Sequence, residues 1–343
     1  MGMAEGTAIN GRRCISALFV VPDLKKGQLF YNTHLEAVPS ADSDELEARP
    51  FPRPIAHFPL PLGCRNFAVS GGGTTILGLS AYSRDTFVHD AATRAAVPGP
   101  QLRDPKASLA LLPVGDDTVL AMDQILRTPW PGDSFCSFEA LRRVVGGGWR
   151  AEPLPEPPTR YGSLWFVSAY VAMGGNTAWV SVGGRGTFSL DVERGAWREE
   201  GSWELPLRGR AFHVPELGAV FGLSAVGGRC LCACDVVEGR PRPALANLWS
   251  ETFPSSECWE RGQKLWWDMT SLAYLGEGRF CISRHVVVER TPEGSAARYA
   301  ISCMTVEVRR LPSGELHLAK CGKLRYLDVW PYEDYPFPYF IQQ

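Results

Sequence analysis

Cys230, Cys232 and Cys234 form the densest group of possible metal ligands in the chain, because thiolates bind zinc tightly. On a strand, side chains repeat every two residues. All three sulfurs therefore share one face, about 7 Å between neighbours, which suits a packed layer and cannot close one tetrahedral site without ligands from elsewhere. No Cys-x-x-Cys occurs. The expectation is no metal and no cofactor.

Two serine motifs, Gly78-Leu-Ser80-Ala and Gly222-Leu-Ser224-Ala, have part of the spacing of a nucleophile elbow, which sets a serine on a sharp turn between strand and helix. The closing glycine is missing and the flanks read strand, turn, strand. A catalytic serine is needed once, whereas a structural turn recurs. His213-Val-Pro-Glu216 spaces a histidine and a glutamate as a zinc helix would, but Pro215 forbids the intervening helical turn. Glycine pairs at 71–73, 146–148, 174–175, 183–184 and 227–228 lack the following Lys-Ser/Thr of a phosphate loop and are expected to be hairpin turns. Asp90, Asp191 and Asp235 each close a strand, where a carboxylate accepts backbone N–H bonds of the following turn. No catalytic, cofactor-binding or metal-binding residue is assigned.

The elements that position these residues form a diverged repeat. Ile76-Leu-Gly-Leu-Ser-Ala…Val-His-Asp90 overlays Val220-Phe-Gly-Leu-Ser-Ala…Cys-Ala-Cys-Asp235, and Ala178-Trp-Val-Ser-Val…Phe-Ser-Leu-Asp191 has the same shape. A period in the forties built from short strands predicts propeller blades. The expected fold is all-β: one closed propeller of six four-stranded blades (five and seven are the alternatives), over 15–62, 65–103, 106–158, 164–208, 209–257 and 264–328, with 329–343 as an aromatic and proline-rich cap. In the clearest blade, strands are expected at 167–171, 178–182, 187–191 and an outer strand from Gly195-Ala-Trp197 to Trp203-Glu-Leu-Pro206. Ser40 to Arg49 reads as a turn or two of helix or an exposed loop. Closure is expected to pair N-terminal with C-terminal strands, because an open ring leaves two unpaired edges.

Composition agrees with a globular, turn-rich chain: 343 residues, 45% hydrophobic, 35 Gly and 27 Pro. A net charge of −2 with interspersed signs excludes the basic stripe of a nucleic-acid or anionic-membrane binder. Residues 163–184 carry no charge, yet Gly174-Gly-Asn-Thr within them is a turn signature, so a β-hairpin is expected there and not a membrane span. Ten sparse cysteines, with no apolar leader at the N-terminus, imply a reducing compartment, cytoplasmic or nuclear.

The pattern of Gly-Gly turn, strand ending in Asp, Trp and Leu-Pro resembles kelch-type propellers, without the full kelch signature. Thr177-Ala-Trp-Val-Ser-Val, Gly186-Thr-Phe-Ser-Leu-Asp191, Trp203-Glu-Leu-Pro-Leu-Arg-Gly209, Phe221-Gly-Leu-Ser-Ala225 and Gly278-Arg-Phe-Cys-Ile-Ser283 resemble an expanded family of grass proteins known only as a domain of unknown function. Some plant propellers of this kind are similar to the substrate-binding half of F-box ubiquitin-ligase adaptors; here no Leu-Pro-rich F-box helices precede the blades. The resemblance implies a propeller and carries no established catalytic residues.

The function expected is a non-catalytic, monomeric interaction propeller that holds a protein or peptide on a rim of variable loops, with Arg and Trp as anchors. The loop candidates are Thr128 to Asp133, Glu238 to Pro243 and Val287 to Ala297. The alternative is an enzyme or small-molecule receptor with its site at the channel mouth.

Overall fold

The computed structural model describes residues 8–9, 12–23, 27–36, 46–50, 52–58, 64–80, 83–90, 93, 95–126, 135–158, 164–225, 230–235, 243–250, 265–290, 296–329 and 339–340. Among them there is no α-helix, and one 3-10 turn spans Pro215–Leu217. No helix among the described residues is long and apolar enough to cross a membrane. The strands run β1 (Ala8–Ile9), β2 (Arg12–Asp23), β3 (Gly27–Glu36), β4 (Leu46–Pro50), β5 (Ala56–Phe58), β6 (Cys64–Ser70), β7 (Thr75–Ser80), β8 (Thr86–Asp90) and β9 (Ala95–Pro98). They continue with β10 (Leu109–Pro113), β11 (Thr118–Asp123), β12 (Ile125–Leu126), β13 (Phe138–Arg143), β14 (Trp149–Pro153), β15 (Trp165–Gly174), β16 (Thr177–Val182), β17 (Gly186–Asp191) and β18 (Ala196–Gly201). The remainder are β19 (Leu207–Val214), β20 (Ala219–Ser224), β21 (Leu231–Asp235), β22 (Ala244–Trp249), β23 (Leu265–Gly276), β24 (Arg279–Arg290), β25 (Ala296–Arg310), β26 (Leu316–Val329) and β27 (Tyr339–Phe340).

Hydrogen bonding gathers these strands into five sheets: β1-β2-β3-β5 with β27 on β2, β6-β7-β8-β9, β10-β11-β13-β14, a nine-stranded sheet, and β23-β24-β25-β26-β4. The nine-stranded sheet is the meander β15-β16-β17-β18 followed by the meander β19-β20-β21-β22, joined where β15 and β19 pair in parallel and with β12 added to β15. The chain divides into two compact units, one of 1–57, 223–233 and 247–340, the other of 58–222, 234–246 and 341–343.

In the second unit, β10 lies against both β6 and β15, so the first strands of successive meanders are neighbours. Exposure rises outward. The first strands are largely buried, while β9 is exposed along its length and β14 and β18 are mostly exposed or half-buried. Period-two alternation explains how one sheet serves two neighbours. Leu109, Leu111, Val119, Ala121 and Leu141 pack with Ala68, Leu77 and Leu79 of the β6–β9 sheet. The intervening residues Ala110, Leu112, Leu120, Met122, Phe138 and Ala140 pack with Val167, Val180, Val182, Phe188 and Leu190 of the β15–β18 meander. Trp197 meets Phe138 edge-on at 5.1 Å and donates its indole N–H to Pro155 O at 2.8 Å.

In the first unit, Ala17, Phe19 and Leu35 pack with Cys281, Ile301, Cys303 and Leu327. There β4 pairs in parallel with β26, Leu46 opposite Leu324, and β27 pairs with β2, Phe340 opposite Phe19. Residues 46–50 are thus strand, where the sequence suggests helix or loop, because a partner strand from the far end of the chain supplies their hydrogen bonds. The uncharged stretch at 163–184 contains the expected hairpin, β15 and β16, turned through Gly174 and Gly175 at φ of 104° and 55°. The fourth strand of that meander, β18, lies within the expected outer strand but stops at Gly201; Trp203 to Pro206 form a connection.

Candidate functional site

Most residues with possible chemistry are occupied by the fold. Ser80 and Ser224 end β7 and β20, and their N–H groups donate to Asp85 O at 3.3 Å and Cys230 O at 2.8 Å, one structural position used twice. His213 Nδ1 bonds Met173 O at 3.0 Å and Pro215 starts the 3-10 turn, so His213 and Glu216 share no helix. Asp90 accepts the Thr93 N–H at 2.8 Å, and Asp191 accepts those of Glu193 and Arg194 at 3.1 and 3.0 Å. The Arg194 N–H bond is the main cause holding the Asp191 carboxyl below its usual range. In the pair at 183–184 only Gly184 takes a positive φ, 71°. The pair at 227–228, the turn after Asp235, the loops at 128–133 and 238–242, and 330–338 of the tail lie outside the described residues. Val287 to Ala297 is largely the β24–β25 hairpin, of which 291–295 are likewise outside.

Cys230, Cys232 and Cys234 are buried, as is Cys136. Burial, and secondarily the Asp235 charge, pushes the Cys234 thiol up to about 12. Burial, followed by Glu139, pushes Cys136 to about 11. Thiols held protonated and out of solvent are poor nucleophiles. Maleimide treatment of the native protein at mildly alkaline pH is therefore expected to leave Cys136 and Cys234 unlabelled, and guanidinium to expose them. Peptide mass mapping checks this, and rapid native labelling of Cys234 would contradict it.

A buried ionic cluster at the start of the β10–β14 sheet has no counterpart in the sequence reading. Lys106 Nζ, with its side chain fully enclosed, donates to Glu139 Oε1 at 2.6 Å, Cys136 O at 2.8 Å and Asp104 O at 3.0 Å. Glu139 also accepts the Arg103 N–H at 2.8 Å. Asp123 accepts the N–H groups of Ala107, Ser108 and Ile125, each at 3.0 Å. Glu156, raised chiefly by burial, accepts the Ser137 N–H. The ammonium donates three hydrogen bonds, and with those to Glu139 and Asp123 they fasten the segment 103–108 to the sheet.

Unspent capacity lies at the end of the β15–β18 meander. Leu164 and Phe166 are 59% and 57% exposed, and by strand alternation they share one side of the β15 start while Trp165 takes the other. Arg185, at the β16–β17 turn, stacks its guanidinium carbon 3.6 Å from the Trp165 ring centroid. Among the described residues no carboxylate lies within ion-pair distance of Arg185. Glu204, nearby in the fold, instead accepts the Gly184 N–H at 2.8 Å. Three enclosed donors, Trp165 Nε1, Arg185 Nε and Trp203 Nε1, have no acceptor there. Trp203 lies 5.7 Å from Trp179 and directly over Gly201, where a Cβ would come within 2.4 Å of its indole nitrogen. A guanidinium stacked on an indole keeps its planar fork free for a carboxylate. The arrangement can bind and orient an acidic, partly apolar segment.

A second cation sits on the paired strands β15 and β19. Arg210 and Tyr170 are register partners, with the guanidinium carbon 4.9 Å over the Phe212 ring. Burial lowers the Arg210 pKa to about 10, opposed by Tyr170; burial raises the Tyr170 phenol to about 12, opposed by Arg210.

The sequence model of a family described as "Protein of unknown function (DUF1668)" matches residues 8–326. No curated protein matches. Among solved structures, the chain is similar to the Cps50 (Swd1) beta-propeller domain of Myceliophteria thermophila, at 11% identity and TM-score 0.42 over 93% of this chain and 90% of that one. A putative 6-phosphogluconolactonase from Bacteroides uniformis gives 11% identity and TM-score 0.47, over 93% and 84% of the two chains. Another from Bacteroides fragilis gives 10% and 0.44, over 92% and 98%.

Proposed function

We propose that this chain, which belongs to the DUF1668 family of unknown function, is a non-catalytic binding module, a scaffold or substrate-receptor-like adaptor built as one closed six-bladed propeller. Six meanders of four principal strands, with first strands side by side in the second unit and with alternate faces of one sheet shared between its two neighbours, support the blade reading. Pairing of β4 with β26 and of β2 with β27 supports closure by interlocked ends. The observation that carries the function is Arg185 stacked on Trp165, a cation with no carboxylate within ion-pair distance among the described residues, on one side of the β15 start whose other side exposes Leu164 and Phe166. Arg and aromatic anchors dominate interface energetics. The partner is a peptide segment that crosses the β15 start, supplying a carboxylate to Arg185 on one side and an apolar side chain to Phe166 on the other.

The test is selection from a random displayed-peptide library against the full chain and against Phe166→Ser with Arg185→Ala. Acidic-apolar sequences are expected to bind the native protein at least about tenfold more tightly than the variant, equivalent to about 1.4 kcal/mol, with melting temperature unchanged. Equal binding by both, or no enrichment, would sink this reading.

A further inference from the structure

A guanidinium withdrawn from water is costly unless an anion or acceptor compensates it, and buried charges in folded proteins are paired. Arg210 is not so paired. Its side chain is half-buried: Nε is sealed from solvent without an acceptor, the two terminal nitrogens are not among the sealed atoms, and none of the described carboxylates lies within ion-pair distance. Among the described residues the guanidinium makes no hydrogen bond, and its carbon lies 4.9 Å over the face of Phe212. An aromatic face covers one side of the guanidinium plane and leaves the edges of the fork available.

Across the parallel pair, in register with Arg210, stands Tyr170. Its ring is held in the core cluster between the β10–β14 and β15–β18 strands. Its hydroxyl makes no hydrogen bond to a described residue, although it is not among the atoms sealed from solvent. Next on β19, His213 is excluded as a competitor, because its Nδ1 is engaged by Met173 O. Two donors in register on adjacent strands, a charged fork and a phenol, thus lack acceptors among the described residues. Oxyanions present the acceptor geometry that such a fork matches in two parallel hydrogen bonds.

We infer that Arg210 and Tyr170 form a binding site for a small oxyanion, a carboxylate or a phosphate group, separate from the Arg185 rim. The fork of Arg210 supplies charge and two donors, the Tyr170 hydroxyl a third, and Phe212 fixes the guanidinium plane.

The experiment is a thermal melt of the full chain titrated with sodium phosphate and with sodium acetate, ionic strength being held constant with sodium chloride. At saturation at least one oxyanion is expected to raise the melting temperature of the native protein by on the order of 3–6 °C. A response to phosphate alone assigns a phosphate site, to acetate alone a carboxylate site, and to both a general oxyanion site. Arg210→Met should abolish the rise. Tyr170→Phe should weaken the apparent affinity. Should Arg210→Met not fold, Arg210→Lys keeps the charge and loses the fork, and is expected to need at least about tenfold more anion. No rise in the native protein, or an equal rise in the Arg210 variant, would overturn the site while leaving the rim reading untouched.

Discussion

Lys106→Met is expected to destabilise the fold by about 3–5 kcal/mol, the range for removing one partner of a buried ion pair. The cause is what stays behind. Glu139, 1% exposed, would keep a negative charge in a site from which water is excluded, with only backbone N–H donors to hold it. Replacing both groups, Lys106→Met with Glu139→Gln, removes the stranded charge and keeps an acceptor for the Arg103 N–H, so it should recover about half of the loss. Urea denaturation at neutral pH measures both. If the double variant is no more stable than the single one, the loss comes from packing of the lysine stem and the electrostatic account fails. Because a typical net stability is only about 5–15 kcal/mol, the single variant takes a large share of it.

Asp123→Ala is the second large effect. Three backbone N–H groups, those of Ala107, Ser108 and Ile125, depend on this fully buried carboxylate. Each buried donor left without an acceptor costs about 1–3 kcal/mol; with some rehydration, a total of about 3–5 kcal/mol is expected. Asp123→Asn keeps one acceptor oxygen and should lose less. Amide exchange then gives the location: protection should fall first at Ala107 and Ser108. Uniform loss across all sheets would mean that the carboxylate does not organise this turn in particular.

The strands near a glycine turn were legible in the sequence because their signals are local. The Gly174-Gly-Asn turn and the alternation of Ala178-Trp-Val-Ser-Val place β15 and β16, and the terminal aspartates mark the turns after β8 and β17. What was not legible depends on distant partners. Leu46 to Pro50 has the acidic, small-residue look of a helix or loop and becomes β4 only because β26 offers an edge. Trp203 to Pro206 looks like a strand, but its polar groups are met by side chains: Trp203 O accepts from the Thr187 hydroxyl, and Leu205 N–H donates to Ser181 Oγ. The ionic cluster draws Lys106, Asp123, Glu139 and Glu156 from separate strands and loops, each unremarkable where it stands in the sequence. The proposed binding residues Arg185 and Trp165 are of the types expected as anchors but were not singled out, whereas of the inserts favoured by sequence 128–133, 238–242 and 291–295 lie outside the described residues.

The pairing of β4 with β26, and of β2 with β27, sets an order of events during synthesis. Partners separated by nearly the whole chain meet only after the ribosome has delivered both, so the first strands must wait with open edges while the middle meanders are able to form from local contacts. Contacts of such long sequence separation fold slowly, and waiting edges invite pairing with other chains. Until β26 and β27 have been made, β4 and the free edge of β2 are therefore the places where a nascent chain can pair with another.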